Sequence, residues 1–581
     1  MVKNRLKLAL AALLVLTLAV PAFVLAQQAP GRRRDNSSTT PTQPGPTGPA
    51  GRATRRAPSD ATSALEGDFA EALSVVEENY VDGNKVDYNN TFKSSIIGML
   101  RTLDPHSNYY DAKEFEEMRT DWRSEYYGIG ATIGDRSVGD DTNTYILATF
   151  ENAPAAKAGL RFGDKIVAVD GADVHGRPSA EVRDKLRGPR GSVVKVTVER
   201  ASDGVKQTVE ITRDAVPQPS VPDAYMIKPG VGYIDMTRGF NYTTADEFMD
   251  RLEKLHREGM TSLVLDLRGN PGGLLDQAVK VASQFIPAGQ PILSQRGRAY
   301  AAHTYRSDNP NPDNVPLVVL VNRNTASASE IVAGALQDHD RALIVGETSF
   351  GKGLVQSIIP LEYGTALTLT SSKYYTPSGR LVQRDYSNEG LYDYYTHGRG
   401  VGQDDDGATA EKPSGPESKT DTGRSVYGGG GIAPDESVKP RIFQPVQQRA
   451  VNPIFMFVRE LVNGRINGFE SFKVSRDIDF NHNVKADEFA VTDNLFKAFK
   501  AFVANEPAYK LTEKQLDANR DFIARQMRYD ISTAAYGTVT ASQVLTADDP
   551  QVVKAIDNLP RARELAAAAR AGRNPQQKSF E

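Results

Sequence analysis

The chain has 581 residues, a net charge of -4 and no cysteine. The missing thiol excludes disulfides, a cysteine nucleophile, zinc-thiolate sites and a lipid anchor through an N-terminal cysteine. Acidic and basic residues are mixed throughout, apart from Arg32-Arg33-Arg34 and Arg55-Arg56, so no nucleic-acid footprint is visible, and the length predicts about four domains.

Lys3, Arg5 and Lys7 precede an apolar run from Leu8 to Val20 and a small-residue site at Val24-Leu-Ala26, the pattern of a secretory signal peptide over 1-26. An exported protein, periplasmic or extracellular, is expected; left uncleaved, the segment would tether the chain to a membrane. Residues 27-62, rich in Pro, Gly, Ser, Thr and Arg, read as a disordered linker. Ser63 and Glu66 then form a capping-box pattern, with Phe69, Leu73, Val76 and Tyr80 at helical spacing, so 63-122 is expected to be a small helical region.

From Tyr127 the texture changes to short strands and glycine turns: Gly128-Ile-Gly130, Thr144 to Phe150, Lys165 to Gly171 and Val193 to Val198. Between them Ala153-Pro-Ala-Ala-Lys-Ala-Gly-Leu-Arg-Phe-Gly-Asp164 reads as a short helix ending in a turn. In this order the elements over 123-214 resemble a PDZ domain, which adds a peptide to a sheet edge and holds its terminal carboxylate in a backbone nest. The resemblance puts that nest at Tyr127, Gly128, Ile129 and Gly130; taken alone, the glycines also fit a tight turn.

A second α/β region spans 215-445. Thr261 to Arg268 reads as a buried strand ending in Gly269-Asn-Pro-Gly-Gly273, followed by a helix from Leu274 to Phe285, a strand from Leu317 to Val321, a helix from Ser327 to Asp338 and a strand from Ala342 to Gly346. Such alternation predicts parallel βαβ units, with the site at the C-terminal strand ends. Residues 388-427 look like a flexible insertion, and 446-581 is expected to be largely helical, with Asp549-Pro550 as cap and first helical residue. In that tail Asp477-Ile-Asp-Phe-Asn481 and Glu488 imitate a calcium loop, but His482 stands where the sharp turn needs glycine, so a plain turn is expected and no metal site.

Two residues carry the chemistry. The run Gly346-Glu-Thr-Ser-Phe-Gly-Lys-Gly353 nearly spells a phosphate loop, yet Gly353 replaces the magnesium-binding hydroxyl and the next segment reads as a strand instead of a helix. Ser327 opens a helix after a βα turn, where free N–H groups suit an oxyanion; Glu330 three residues on makes it an equally good structural cap. His339 is too far along that helix to serve as its base, and His106, His256 and His303 lie in no recognisable motif. A desolvated lysine is the alternative base, which points to Lys352, with Gln356 four residues on and on the same strand face.

These residues resemble the C-terminal processing, or tail-specific, peptidases. The resemblance rests on Ser327-Ala-Ser-Glu330, Gln337-Asp338, Phe350 to Gln356, Leu265 to Gly273, Lys373 to Arg380 and Leu103-Asp-Pro-His-Ser107. It implies a crotonase-like α/β core with a PDZ domain and helical N- and C-terminal regions. Ser327 would be the nucleophile, Lys352 the general base and Gln356 its positioning partner, with an oxyanion hole from the backbone of Ala328 and of Gly272 or Gly273. Asp338 matches a residue described as supporting the site, but equally suits a helix cap or ion pair. The implied activity is that of a serine endopeptidase without cofactor or metal, acting on proteins with accessible C-terminal tails, and a homodimer through the N-terminal helices. The competing expectation is a PDZ-containing scaffold whose core is inactive.

Overall fold

A computed structural model describes residues 60-123, 125-298, 301-387, 394-395, 415-474 and 477-573. The expected signal peptide, nearly all of the linker, and 388-393 and 396-414 of the expected insertion lie outside the described residues. Among the described residues no helix is long and apolar enough to cross a membrane.

The centre of the molecule is a sheet whose strands Val231–Asp235, Ser262–Asp266, Leu317–Val321, Leu343–Gly346 and Glu436–Ser437 run parallel in that spatial order, with Ala224–Lys228 antiparallel at the edge. The run Leu317–Val321 is apolar at every position because both faces are covered. Leu317, Val319 and Val321 enter one core with the helices Thr244–Arg257, Leu275–Ser283 and Ala328–Asp338; Val318 and Leu320 enter another with Val552, Ala555, Leu559 and Ala562. Alternate residues of one strand thus serve two layers.

Those last four residues belong to the C-terminal helices Pro550–Asp557 and Leu559–Arg573. As the sequence indicates, Asp549 caps the first of them, accepting from the N–H groups of Gln551 and Val552. Arg268, at the end of a sheet strand, clamps the same turn: its guanidinium pairs with Asp266 at 2.6 Å and with Asp549 at 3.0 Å, and donates to Gln551 at 2.8 Å.

Residues 131-212 form an antiparallel sheet in the order Ala131–Val138, Asp141–Thr149, Lys165–Val169, Val193–Glu199, Lys206–Thr212, with Ser179–Leu186 packed beside the first strand. Its core includes Ile129, Ile146, Leu160, Ile166, Val182, Val196 and Ile211. Tyr145 and Phe162 of this segment instead join the hydrophobic cluster of the C-terminal helices Pro445–Val462, Asp493–Ala504 and Arg520–Thr546. The tail is therefore packed against both the PDZ-like segment and the central sheet.

Several of these expectations change. The first described helix begins at Asp60, before the expected cap at Ser63, and its helical stripe faces solvent, with Phe69 45% and Tyr80 58% exposed. The expected insertion ends earlier, since Glu417–Lys419 and Ser425–Tyr427 pair as a hairpin. The polar residues of its turn, which composition alone makes look solvated, find partners at the end of the helix Ala328–Asp338: Asp421 N–H donates to the Asp338 carbonyl at 2.9 Å and Arg424 pairs with Asp340 at 2.6 Å. In the calcium-like stretch the Glu488 carboxylate is already bound by His482 at 2.8 Å and by the Tyr536 hydroxyl.

A smaller sheet completes the frame. Leu354–Pro360 and Ala366–Tyr375 form an antiparallel hairpin, and Ala366–Tyr375 also pairs with Asn108–Tyr110 and Pro291–Arg296. The strand Asn108–Tyr110 comes from the N-terminal region expected to be helical only.

Candidate active site

Three loops leave the C-terminal ends of neighbouring parallel strands: Leu267 to Leu274, Asn322 to Ser327, and Glu347 to Gly353. Hydrogen bonds lock them together. Thr325 Oγ1 donates to the Leu267 carbonyl at 2.8 Å, Ala326 N–H to the Asn270 carbonyl at 2.9 Å, and Phe350 N–H to the Thr325 carbonyl at 2.9 Å. Position at strand ends is where ligands bind in open parallel sheets.

Ser327 sits at the sharp turn into the helix Ala328–Asp338 with φ 56° and ψ -115°, a sparsely populated conformation for a non-glycine residue. It is not an ordinary N-cap. Glu330 Oε2 accepts the Ser327 N–H at 2.8 Å, as in a capping box, but the positive φ of Ser327 is not the extended backbone of an ordinary cap.

Glu330 links the second loop to the third. The same Oε2 accepts Lys352 N–H at 2.8 Å, while Oε1 accepts Gly351 N–H at 2.7 Å and the Ser349 hydroxyl at 2.5 Å. Two backbones that meet at one oxygen atom cannot drift apart, so Ser327 and Lys352 are pinned side by side. The carboxylate is fully buried; burial pushes its pKa up, against the pull of these four donors.

Lys352 Nζ forms no ion pair among the described residues. Burial pushes its pKa below the ordinary lysine value, although the negative charges of Glu330 and Asp104 act in the opposite direction. Close to it lies the His106 ring, whose pKa is lowered to about 3 by burial and by the Lys352 and Arg384 charges. Neutral His106 is hydrogen-bonded through Nε2 to the Tyr394 hydroxyl at 2.9 Å and makes an edge contact with Phe350.

The first loop approaches Ser327 most closely through Gly272. A Cβ there would lie 2.7 Å from Ser327 Cβ and 2.8 Å from Ala328 N, and φ is +94°, so only glycine fits. Its N–H is already donated to Asn270 Oδ1 at 2.9 Å. Ala328 and Gly273 N–H make no hydrogen bond among the described residues, which leaves them as the open donors of the three.

Gln356 lies in the strand Leu354–Pro360, but Lys352 precedes that strand in a loop, so strand alternation does not by itself put the two side chains on one face. The physical reason is the Glu330 cradle, which holds residues 351 and 352 as loop. Gln356 Nε2 donates to Thr370 Oγ1 at 3.1 Å across the hairpin. A strand follows the loop in place of the helix that a phosphate loop would require.

Elsewhere, Tyr127 and Gly128 lie in the strand Glu125–Gly128, paired with Asp214–Pro217, and the carbonyls of Ile129 and Gly130 accept Ala155 and Phe150 N–H. Gly130 has φ +73°, and a Cβ would lie 2.3 Å from that of Ala153, so the tight turn is real. Asp338 is buried and bound to Arg380 at 2.5 Å and to the Ser378 hydroxyl at 2.7 Å, an ion-pair role at the helix end. His256 pairs with Asp313 at 2.6 Å and His303 is exposed. Sequence reasoning missed the loop-bridging role of Glu330 and the presence of Asp104, His106 and Thr370; the Asp104-Pro-His-Ser107 motif was visible, but not what it touches.

A model of peptidase family S41 matches residues 230–388, and a PDZ domain model matches 151–200. The carboxy-terminal-processing protease of Bartonella bacilliformis is 39% identical over 321 residues, which cover 54% of this chain and 72% of that protein. The chain belongs to peptidase family S41. A second relative, the carboxy-terminal processing protease CtpB of Bacillus subtilis, is 32% identical to the peptidase, covering 57% of it and 68% of CtpB. Among solved structures, the photosystem II D1 C-terminal processing protease matches at 32% identity and TM-score 0.31, over 54% of this peptidase and 89% of that chain. The peptidase is a serine-type C-terminal processing protease with a PDZ domain. The S41 match takes in Gly272, Gly273, Ser327, Ala328, Lys352 and Gln356, whereas Asp104 and His106 lie outside it.

Proposed function

We propose that the peptidase cleaves proteins by a Ser327–Lys352 dyad. The observation that carries this reading is the single oxygen, Glu330 Oε2, that accepts the N–H groups of both residues at 2.8 Å. Burial lowers the Lys352 pKa and so favours the neutral amine that this mechanism needs to take the Ser327 proton. The alkoxide then attacks the peptide carbonyl, whose developing charge faces the N–H groups of Ala328 and Gly273 at the positive end of the helix. The protonated amine releases its proton to the leaving nitrogen, and water hydrolyses the acyl-enzyme with Lys352 again as base. Gln356 orients the amine.

The PDZ domain captures the substrate's C-terminal tail. Ala131–Val138 is an edge strand flanked by the helix Ser179–Leu186, the arrangement that accepts an added peptide strand, and the N–H groups of Ile129 and Gly130 lie at its entrance. The parallel sheet with site loops at its C-terminal ends fits a crotonase-like core. The basic-then-apolar N-terminus supports export, and the exposed apolar residues of the helix Asp60–Asn79 support a homodimer.

The test is digestion of an unfolded protein with and without an apolar C-terminal tail, by the wild type, Ser327→Ala and Lys352→Ala. Both variants should lose activity by about four orders of magnitude or more while keeping the tail-dependent binding. Unchanged cleavage by Ser327→Ala would sink the dyad.

A further inference from the structure

The hairpin that carries Gln356 is joined to a segment far away in the chain. The edge strand Asn108–Tyr110 pairs with Ala366–Tyr375, Asn108 opposite Thr368, and this brings the preceding turn, Asp104 to Ser107, against Thr370. Thr370 is the cross-strand partner of Gln356. Contacts at both ends of Thr370 follow: its N–H donates to Ser107 Oγ at 3.0 Å and its hydroxyl donates to Asp104 Oδ1 at 3.0 Å.

Asp104 is buried and strongly held. Oδ1 also accepts the N–H groups of His106 and Ser107, both at 2.8 Å, and Oδ2 accepts the Ser107 hydroxyl at 2.6 Å. Burial pushes its pKa up, but the hydrogen bonds outweigh that and hold the carboxyl below its usual range, so it is an anion at neutral pH. An ionised carboxylate can only accept.

That fixes the direction of every bond after it. The single Thr370 hydroxyl hydrogen goes to Asp104, so Thr370 Oγ1 must accept from Gln356, and the atom that Gln356 presents to it must be its amide nitrogen. The Gln356 carbonyl oxygen is thereby turned to the other side of the carboxamide. Without an anion at the far end, the amide has no reason to prefer one orientation over its flip.

We propose that Asp104 and Thr370 are positioning residues that lock the Gln356 carboxamide with its carbonyl oxygen available to the Lys352 amine, so that the N-terminal segment completes the site. This rests on the proposed reading of Lys352 as the base and Gln356 as its positioning partner. A carbonyl that accepts one amine N–H leaves the nitrogen lone pair aimed elsewhere, which is what proton transfer from Ser327 needs. Asp104 acts a second time as a charge, since its field and that of Glu330 both favour the protonated lysine. Other titratable groups nearby are the neutral His106 ring, Arg384 beyond it, and Tyr386, Tyr394 and Tyr395, whose hydroxyl pKa values burial raises.

Thr370→Val, Thr370→Ser and Asp104→Asn separate these roles, with kcat and KM measured against pH and Tm followed as a check on folding. Thr370→Val should lower kcat by up to about a hundredfold with little change in KM, and Thr370→Ser, which keeps the hydroxyl, should stay near wild type. Asp104→Asn should move the acidic limb of the kcat/KM profile to lower pH, because a negative charge that favours protonated Lys352 is gone. A residue that only supported the fold would lower activity without moving that limb. Wild-type kcat in Thr370→Val, equal losses in the Val and Ser variants, or an unmoved limb in Asp104→Asn each overturns the proposal. If Thr370→Val fails to fold, the Asp104→Asn limb decides alone. Full activity in Lys352→Ala refutes the dyad itself, a result distinct from any of these.

Discussion

Replacing Glu330 with glutamine tests the residue on which the site geometry depends. The isosteric amide keeps one acceptor oxygen and turns the other into a donor. It has two orientations, and the four partners choose between them. With its nitrogen at Oε2 it would orphan two backbone N–H groups, those of Ser327 and Lys352. With its nitrogen at Oε1 it orphans only Gly351 N–H, because the Ser349 hydroxyl can rotate and accept. The second orientation wins and leaves the pin intact. One orphaned N–H costs about 1–3 kcal/mol, and the loss of charge assistance in the remaining bonds roughly halves their strength. Against this, a fully buried charge no longer has to be desolvated, a relief of several kcal/mol in order of magnitude. The net destabilisation is therefore expected to be small, about 0–3 kcal/mol, or a Tm lowered by at most roughly 10 °C. The diagnostic effect is kinetic. Loss of the Glu330 charge removes one of the two fields that favour protonated Lys352, so the acidic limb of kcat/KM moves to lower pH while activity on the plateau survives. Thermal melting and a pH–rate profile on an unfolded substrate measure both. A large fall in Tm with an unmoved limb refutes this account, since Glu330 would then be a structural anchor without electrostatic influence on Lys352.

In the wild type, kcat/KM should rise with pH through a Lys352 ionisation below the ordinary lysine value, and Lys352→Ala should abolish that limb; His106, neutral above about pH 3, contributes none near neutrality, so a His106→Asn variant should keep it. Gly272→Ala, with its new methyl 2.7 Å from Ser327 Cβ and φ +94°, should cost about a hundredfold or more in kcat, read in the same assay; wild-type turnover would refute the close approach. Asp530, buried in the long C-terminal helix, has its pKa raised to about 7 by burial, opposed by Arg136. Because the folded value lies above the unfolded one, its contribution to stability is full below about pH 4 and is lost as pH rises through about 7; the Tm of wild type relative to Asp530→Asn should fall across that window, and a constant difference would refute it.

Much of the fold was legible because its signals are local. Leu317 to Val321 could only be a strand buried on both faces, and the alternation of such strands with apolar helices specifies parallel βαβ units. Ser327 and Lys352 could be singled out for the same reason: each follows a strand end in a short loop. Long-range pairing was not legible. The hairpin over 417-427 looked solvated because its partners, Asp338 and Asp340, are remote in sequence. The short strand Asn108–Tyr110 has too few residues for a period to show, and its register is set by the partner strand.

The amino-acid sequence by itself determined which elements form, which residue types face the strand ends, and which chemistry those types can perform, since periodicity, turn residues and side-chain inventory are properties of short stretches. Only the tertiary structure decided that Glu330, a cap by its spacing, is a buried carboxyl group holding two loops together, that Gly272 has no N–H to offer, and that Asp104 stands behind Gln356. Each of these depends on a hydrogen bond or a van der Waals approach between segments distant along the chain. Such contacts exist only once the chain has packed.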